Sequence, residues 1–188
     1  MTGDSREQPA GRLFFALWPD GETRRRLAEL VPRGARRQGR PVPAENLHLT
    51  LVFLGRAEAA ARDCVESAAA DIRGFAVELH ITHLGFWPRP RVVWAGVETT
   101  PPGLVGLVDD LRAAAAGCGL STESRPYRAH VTLMRKARER PGFHVDIESF
   151  RWRADSFHLV ESATLPAGAR YRLLRSWPLN GGESGVST

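Results

Sequence analysis

The chain has 188 residues, of which 43% are hydrophobic and 25% are charged, and its formal net charge at pH 7 is +5. This size and composition are typical of one soluble globular domain with a hydrophobic core. No run of about 18 uncharged apolar residues is present, which excludes a membrane-spanning helix, and the N-terminal residues lack the apolar segment of a secretory signal. We therefore expect a cytoplasmic protein.

Arginine carries almost all of the positive charge. Lys and Arg together number 26 against 21 for Asp and Glu, and Lys136 is the only lysine. Guanidinium groups suit planar, bidentate contact with phosphate. The balance is consistent with a phosphate-bearing partner, but charge alone does not separate that hypothesis from an arginine-rich composition.

The predicted elements indicate a mixed fold. Residues 1–10 and 181–188 are polar or rich in Gly and Ser, which predicts disordered tails around a single domain at 11–180. Short apolar runs predict strands, and longer alanine-rich or periodic stretches predict helices. Because the two do not alternate regularly, we expect an α+β fold. In chain order the pattern predicts a strand at 13–18, a helix at 21–30, a loop at 32–43, a strand at 47–54, a helix at 58–72, strands at 75–81 and 91–97 connected by 85–90, a helix at 104–116, and strands at 130–134, 157–161 and 171–177.

Cys64 and Cys118 are the two cysteines of the chain. Neither belongs to a CxxC motif or to a cluster of metal ligands, and both have flanks that look helical and apolar. We predict reduced, buried thiols rather than a disulfide.

One short pattern occurs twice, as His48-Leu49-Thr50-Leu51 and as His130-Val131-Thr132-Leu133. Each copy lies in a predicted strand, where successive side chains point to opposite faces. The histidine and threonine of each copy should therefore share one face. The apolar residues around them, in the first copy Leu47, Leu49, Leu51 and Phe53, should share the other.

Two imidazoles and two hydroxyls that face each other suit one phosphate. One ring can hold a proton for the leaving oxygen while the other, neutral, accepts a proton from water. Threonine hydroxyls can donate hydrogen bonds to the non-bridging oxygens and stabilise the charged transition state. This chemistry needs no metal or other cofactor, and we expect none, because the remaining histidines do not form a cluster of metal ligands.

The two copies carry a family resemblance. Segments 46–55 and 125–135 resemble the paired HxTx signatures of the LigT-like 2H phosphoesterases. Segments 12–17, 39–42 and 91–94 resemble the opening strand, the lead-in and the central strand of that family, so the resemblance covers nearly all of the folded chain. One departure is Ala129, where members commonly have proline; this change affects the backbone at the start of the strand rather than the chemistry.

The resemblance implies a bilobal fold, with two pseudo-symmetric lobes that each hold an antiparallel sheet flanked by helices. The groove between them would bind RNA ends with a 2′,3′-cyclic phosphate, such as tRNA fragments, and hydrolyse them to 2′-phosphomonoesters. His48 would protonate the leaving 3′ oxygen and His130 would activate water. Joining RNA ends through a 2′,5′ linkage, the reverse direction, would be a secondary activity. We expect a monomer.

Four further residues are candidates for substrate contact. Phe14 or Phe15 could stack on a base, and we select Phe15 because alternation places the two on opposite faces. Arg135 resembles a family position, but strict alternation turns it away from the catalytic face unless the strand ends or twists there. Tyr127 and Arg128 are weaker candidates.

Two alternatives stay open. The same four catalytic residues could act on a small cyclic nucleotide, a 2′,5′-linked oligonucleotide or a nucleotide-sugar cyclic phosphate, although the arginine-rich segment 33–40 favours an RNA end. The chain could instead be a non-catalytic RNA-binding protein, against which the intact histidines and threonines of both copies argue. A nucleotide-dependent ligase lacks support, because no GxxxxGK[ST] segment is present.

Overall fold

The computed structural model describes residues 11–31, 37–138, 146–165 and 168–179. Within them the chain forms nine strands, three α-helices and a short 3₁₀ helix at Ala44–Asn46. The predicted α+β class is confirmed. The strands are β1 (Arg12–Leu17), β2 (Arg40–Pro41), β3 (Leu49–Arg56), β4 (Val77–Trp87), β5 (Val92–Val97), β6 (His130–Arg135), β7 (Asp146–Ala154), β8 (Ser156–Leu165) and β9 (Gly168–Pro178), and the helices are α1 (Gly21–Glu29), α2 (Ala59–Ala70) and α3 (Pro102–Gly117).

The strands belong to one antiparallel sheet in the order β7-β4-β5-β6-β3-β1-β8-β9, with β2 paired to β6. The order divides into two halves of four strands, β7-β4-β5-β6 and β3-β1-β8-β9. The halves join where β3 meets β6, through the pair Leu49 and Val131. The predicted antiparallel architecture is confirmed; the two predicted lobes are the halves of this one sheet, and each half contributes the strand of one HxT copy to the junction.

The helices cover the core on apolar stripes. In α3 the buried residues recur every three or four positions, which is the helical period, and Pro102 opens the helix where no backbone donor is needed. Helix α1 begins at Asp20, whose carboxylate accepts a hydrogen bond from the Thr23 amide at 2.7 Å. Helix α3 contacts β3, and α2 contacts both α3 and β9. Helix α3 therefore supports β3, the strand of the first HxT copy.

Several strands are longer than the sequence predicts. Strand β4 continues to Trp87, so residues 85–87, predicted as a connection, pair with β5 instead. The sequence pattern predicts neither β7 nor the two-residue strand β2. In β7 the buried side chains Phe150, Trp152 and Ala154 alternate with exposed charged ones. The charged residues of this half-buried strand mask its apolar alternation in the sequence.

A disulfide joins Cys64 in α2 to Cys118, which follows α3, with the Cα atoms 5.7 Å apart. The prediction of reduced, buried thiols is wrong on both counts, because Cys64 is exposed and Cys118 is half-buried. The physical reason is the packing of α2 on α3, which brings together cysteines separated by 54 residues. Local patterns around each cysteine do not contain that contact.

None of the helices among the described residues combines the length and the apolar character that crossing a bilayer requires. The predicted tails at 1–10 and 181–188 lie outside the described residues.

Candidate active site

The two HxT copies meet at the junction of the lobes. His48 directly precedes β3 and His130 begins β6. The residues that follow them, Leu49 and Val131, are paired and completely buried, whereas both histidines and both threonines are half-buried. In an antiparallel pair, neighbours on either side of a paired position share one face. All four polar side chains therefore face the same space, as alternation within each copy predicts.

A backbone carbonyl orients each imidazole. His48 Nδ1 lies 2.7 Å from the carbonyl oxygen of Asn46, and His130 Nδ1 lies 2.8 Å from that of Arg128. Because a carbonyl only accepts, Nδ1 carries the hydrogen in both rings, and Nε2 is the atom left to exchange a proton in the groove. The two copies thus repeat each other down to the tautomer.

Both histidines have lowered pKa values. Burial lowers the pKa of His48 to about 4, the Asn46 carbonyl opposes this shift, and the charges of Arg135 and His130 add to it. Burial also lowers the pKa of His130, again opposed by a carbonyl and reinforced by Arg135. Both rings are therefore neutral in the free protein at pH 7. The positive charge of Arg135 thus contributes to the lowered pKa of both rings.

Aromatic side chains enclose His48. The indole of Trp18 stacks on the imidazole with a centroid distance of 5.3 Å and an interplanar angle of 6°. The rings of Phe14 and Tyr171 lie 4.9 and 5.1 Å away. This apolar packing explains why the neutral imidazole is favoured. The sequence gives no signal for either aromatic residue, because both lie outside the HxT pattern. Trp18 is at the end of the first predicted strand, and Tyr171 is far from His48 along the chain.

The choice of Phe15 over Phe14 as a base-stacking residue is wrong. Phe15 is completely buried, and its ring packs against Phe157 and Trp177 at centroid distances of 6.1 and 6.0 Å. Alternation does place the two phenylalanines on opposite faces of the sheet, but it is Phe14 that lies on the same face as His48. Phe14 pairs with Phe53, which is 50% exposed rather than on the core side as predicted.

Irregular pairing between β1 and β3 accounts for the position of Phe53. The register shifts twice, so that Leu51 and Leu54 have no partner of their own. Such bulges reset the alternation of faces along a strand. The prediction therefore holds from Leu47 to Leu51 and fails beyond them.

Two tryptophans surround His130. The ring of Trp87 meets the imidazole edge to face at 4.6 Å, and Trp94 lies 6.4 Å away. The Trp94 indole covers Gly85 and Gly96, where an added Cβ would overlap the ring. Glycine at these two positions therefore lets the indole lie against the sheet. In the sequence, Gly85 and Gly96 on adjacent strands were the signal that could have identified Trp94 as a residue of the site.

Arg135 reaches the groove because β6 contains a bulge. Met134 pairs with Val93 and Thr132 with Trp94, so Leu133 is skipped. Leu133 and Met134 are consequently both buried, and Arg135 returns to the face of Thr132. A binding role for Arg135 requires a departure from strict alternation, and this bulge provides it.

Tyr127 and Arg128 each make one hydrogen bond to an HxT segment. The Tyr127 hydroxyl donates to the carbonyl oxygen of Thr50 at 2.9 Å, and burial raises the pKa of this phenol. Arg128 has an exposed side chain, and its carbonyl holds His130. Tyr127 thus positions Thr50 and the Arg128 backbone positions His130, while substrate contact by either side chain stays a prediction.

Among the described residues, no group of three or more His, Cys, Asp or Glu side chains is arranged to hold a metal ion.

Comparison with known proteins identifies relatives along most of the chain. The model of the 2′-5′ RNA ligase superfamily matches residues 18–164. The RNA 2′,3′-cyclic phosphodiesterase of Escherichia coli (strain K12) is 37% identical over 177 residues, which cover 89% of this chain and 96% of that protein. The RNA 2′,3′-cyclic phosphodiesterase of Thermus thermophilus is 31% identical over 185 residues, covering 90% and 91%.

Solved structures give the same result for the fold. The crystal structure of E. coli LigT in its apo form aligns with a TM-score of 0.82 and 34% identity, covering 89% of this chain and 96% of that one. LigT complexed with 3′-AMP aligns with a TM-score of 0.82 over 91% of this chain and 99% of that one. The predicted family resemblance is thus confirmed, and the chain belongs to the 2′-5′ RNA ligase superfamily.

Proposed function

We propose that this enzyme hydrolyses RNA ends carrying a 2′,3′-cyclic phosphate to 2′-phosphomonoesters, with His48 and His130 as general acid and general base. The observation that carries the proposal is the matched pair of Nδ1–carbonyl hydrogen bonds, which leaves two Nε2 atoms facing one space. Relatives that align with about nine tenths of this chain are named for this activity.

The reaction balances with these groups alone. His130 Nε2 accepts a proton from water, the water oxygen bonds to phosphorus, and the bond from phosphorus to the 3′ oxygen breaks. His48 Nε2 donates its proton to that oxygen, so the phosphate stays on the 2′ position. The hydroxyls of Thr50 and Thr132 donate to the non-bridging oxygens, and the Arg135 guanidinium offsets their charge. Solvent then returns the proton from His130 to His48.

The depressed pKa of His48 bears on its role as the acid. A group with a pKa of about 4 gives up a proton readily but holds one rarely at neutral pH. An anionic cyclic phosphate in the groove favours the imidazolium and raises this pKa, because opposite charges at close range stabilise each other. Substrate binding therefore supplies the condition under which His48 is protonated.

The same groups support ligation, in which an alcohol replaces water as the nucleophile. If the 5′ hydroxyl of a second RNA takes the place of water at His130, the product is a 2′,5′ linkage. The name of the matching superfamily favours this second activity. It needs no additional residues.

Other features of the proposal follow from the position of the site. Both histidines come from one chain, which supports a monomer, and both lobes contribute to one junction, which supports a single domain at 11–180. The proposed substrates are RNA ends such as those of tRNA fragments, and such substrates support a cytoplasmic location. The disulfide is the feature that argues against that compartment, since disulfides are rare there.

The decisive experiment incubates an RNA that ends in a 2′,3′-cyclic phosphate with purified wild type, His48→Ala and His130→Ala. EDTA is present, and 2′- and 3′-phosphate products are resolved. His80→Ala is the matched control, because His80 is an exposed histidine on β4. We expect wild type and the control to form the 2′-phosphate, and each active-site variant to lose at least about a hundredfold in rate.

Two results would contradict the proposal. Wild type that binds the RNA and leaves it intact would favour the RNA-binding alternative. Variants that cleave as fast as wild type would rule out the two-histidine mechanism.

A further inference from the structure

We propose that a basic groove beside His48 binds the phosphodiester backbone of the RNA strand that leads into the cyclic end. This inference rests on the proposed function. The basic groove is lined by residues 39–46, Arg135, Lys136 and residues 169–171. Its volume of about 970 Å³ is at the upper end for pockets that take drug-sized ligands, so it can hold far more than one phosphate.

The charge of the basic groove is strongly positive. Four cationic side chains line it, against the single carboxylate of Glu45; the four are Arg40, Arg135, Lys136 and Arg170. None of them forms an ion pair with a carboxylate of the described residues. Arg172, two residues beyond Arg170 on the same strand, does pair with Glu161. The groove therefore carries four cations that no carboxylate of the described residues neutralises through an ion pair.

Two of these cations lie directly opposite each other. Arg40 in β2 and Arg135 in β6 are partners in the strand pairing, and Lys136 follows Arg135. Like charges at directly opposed positions destabilise a sheet. An anion bound between them removes this cost, and phosphate suits guanidinium groups through bidentate hydrogen bonds. The pairing therefore indicates a phosphate position.

The basic groove begins at the catalytic pair. Tyr171 lines it and lies 5.1 Å from the His48 ring. Asn46 also lines it, and its carbonyl orients His48 while its side-chain amide donates to the Ala169 carbonyl at 3.1 Å. A strand lying in the groove would therefore reach the site from the side of His48.

The reaction supplies the direction of the strand. His48 protonates the 3′ oxygen, so the ribose that carries this oxygen lies on the His48 side. The rest of the RNA continues from the 5′ side of the same ribose. Its phosphates therefore leave the site toward the cations of the groove, whereas water or a second RNA approaches His130.

The test compares two substrates that end in the same nucleoside. One is the nucleoside 2′,3′-cyclic phosphate, which has no upstream phosphate, and the other is a short oligoribonucleotide with that cyclic end. The variants are Arg40→Gln and Arg170→Gln, with Arg153→Gln as the control, since Arg153 is exposed on β7 outside the groove. Arg135 is left intact because it acts on both histidines.

Each groove variant should lower the ratio of kcat/KM for the oligoribonucleotide to kcat/KM for the mononucleotide roughly fivefold in about 0.1 M salt. This factor is the effect of losing one contact to a phosphate of a single strand. The loss should also make the slope of log kcat/KM for the oligoribonucleotide against log salt concentration shallower by about 0.7. The control should leave the ratio unchanged.

The outcomes separate the two proposals. Wild type that cleaves neither substrate contradicts the proposed function itself. Wild type that cleaves both, with the ratio unchanged in Arg40→Gln and Arg170→Gln, overturns the groove alone. An equal loss on both substrates also overturns it, because the arginines would then act at the cyclic phosphate or on the fold.

Discussion

Leu49 and Val131 form the backbone pair that joins the two lobes, and each directly follows a histidine of the HxT pattern. Both side chains are completely buried. The relative position of the two imidazoles is therefore fixed by a paired and completely buried part of the sheet. Such preorganisation is what acid–base catalysis on a single phosphate requires.

Leucine substitutions at the two neighbouring phenylalanines should have different effects. Phe14→Leu loosens the apolar packing on His48 and should raise the pKa of that histidine toward its usual 6.5, with a fall in kcat. Phe15→Leu should instead lower the free energy of unfolding by about 1–3 kcal/mol and leave that pKa in place. NMR titration of the histidine ring protons and urea unfolding measure the two effects. A shift of the His48 pKa in Phe15→Leu would contradict the assignment of faces.

Tyr127→Phe removes the hydroxyl that holds the Thr50 carbonyl. Loss of this hydrogen bond should cost about 1 kcal/mol in the free energy of unfolding. Because it orients β3 rather than the substrate, kcat should fall while KM changes little. Steady-state kinetics together with urea unfolding test this role. A rise in KM at unchanged kcat would show that Tyr127 contacts the substrate.

Stability should depend on pH through His48. Its pKa is about 4 in the folded protein and near 6.5 in the unfolded chain, so between these values only the unfolded chain takes up the proton. The contribution is fully present above pH 6.5 and is lost as the pH falls toward 4, by up to roughly 3 kcal/mol. His130 contributes in the same direction. Unfolding of wild type and His48→Gln across this range measures it, and parallel curves for the two proteins would contradict the depressed pKa.

The disulfide should stabilise the fold without taking part in the reaction. It closes a segment of 54 residues between α2 and α3, and a crosslink of this span is expected to contribute about 4 kcal/mol. The double variant Cys64→Ser with Cys118→Ser should therefore unfold at lower urea concentration and keep wild-type kcat at 25 °C. Wild type in a thiol reductant should match it. Equal midpoints for oxidised and reduced protein would show that the bond does not constrain the fold.

Alternation of side chains predicts the shared face of His48 and Thr50, and of His130 and Thr132, because the register shifts come only after each threonine. The same rule fails for Phe53 and Arg135, where register shifts change the faces. Bulges arise from pairing with neighbouring strands, and the local sequence does not record them. Alternation also places Phe14 and Phe15 on opposite faces of β1. It does not indicate which of the two faces the core, so the local sequence could not decide between them.

Features that depend on contacts between distant segments were beyond the sequence. The Cys64–Cys118 bond needs the packing of α2 on α3, and the enclosure of His48 by Trp18 and Tyr171 needs the arrangement of three strands. The Nδ1–carbonyl hydrogen bonds, by contrast, are local, spanning two residues in each copy. They follow from the same backbone geometry repeated at both sites.

The most direct test of the paired acid and base is the pH dependence of kcat/KM for an RNA 2′,3′-cyclic phosphate. This parameter reports the ionisation of the free enzyme. Since both histidine pKa values are lowered, we expect a bell-shaped profile with its maximum below pH 6.5, and loss of the acidic limb in His130→Ala and of the alkaline limb in His48→Ala. A profile that changes in one direction only between about pH 4 and 8, or that keeps both limbs in either variant, would contradict the account.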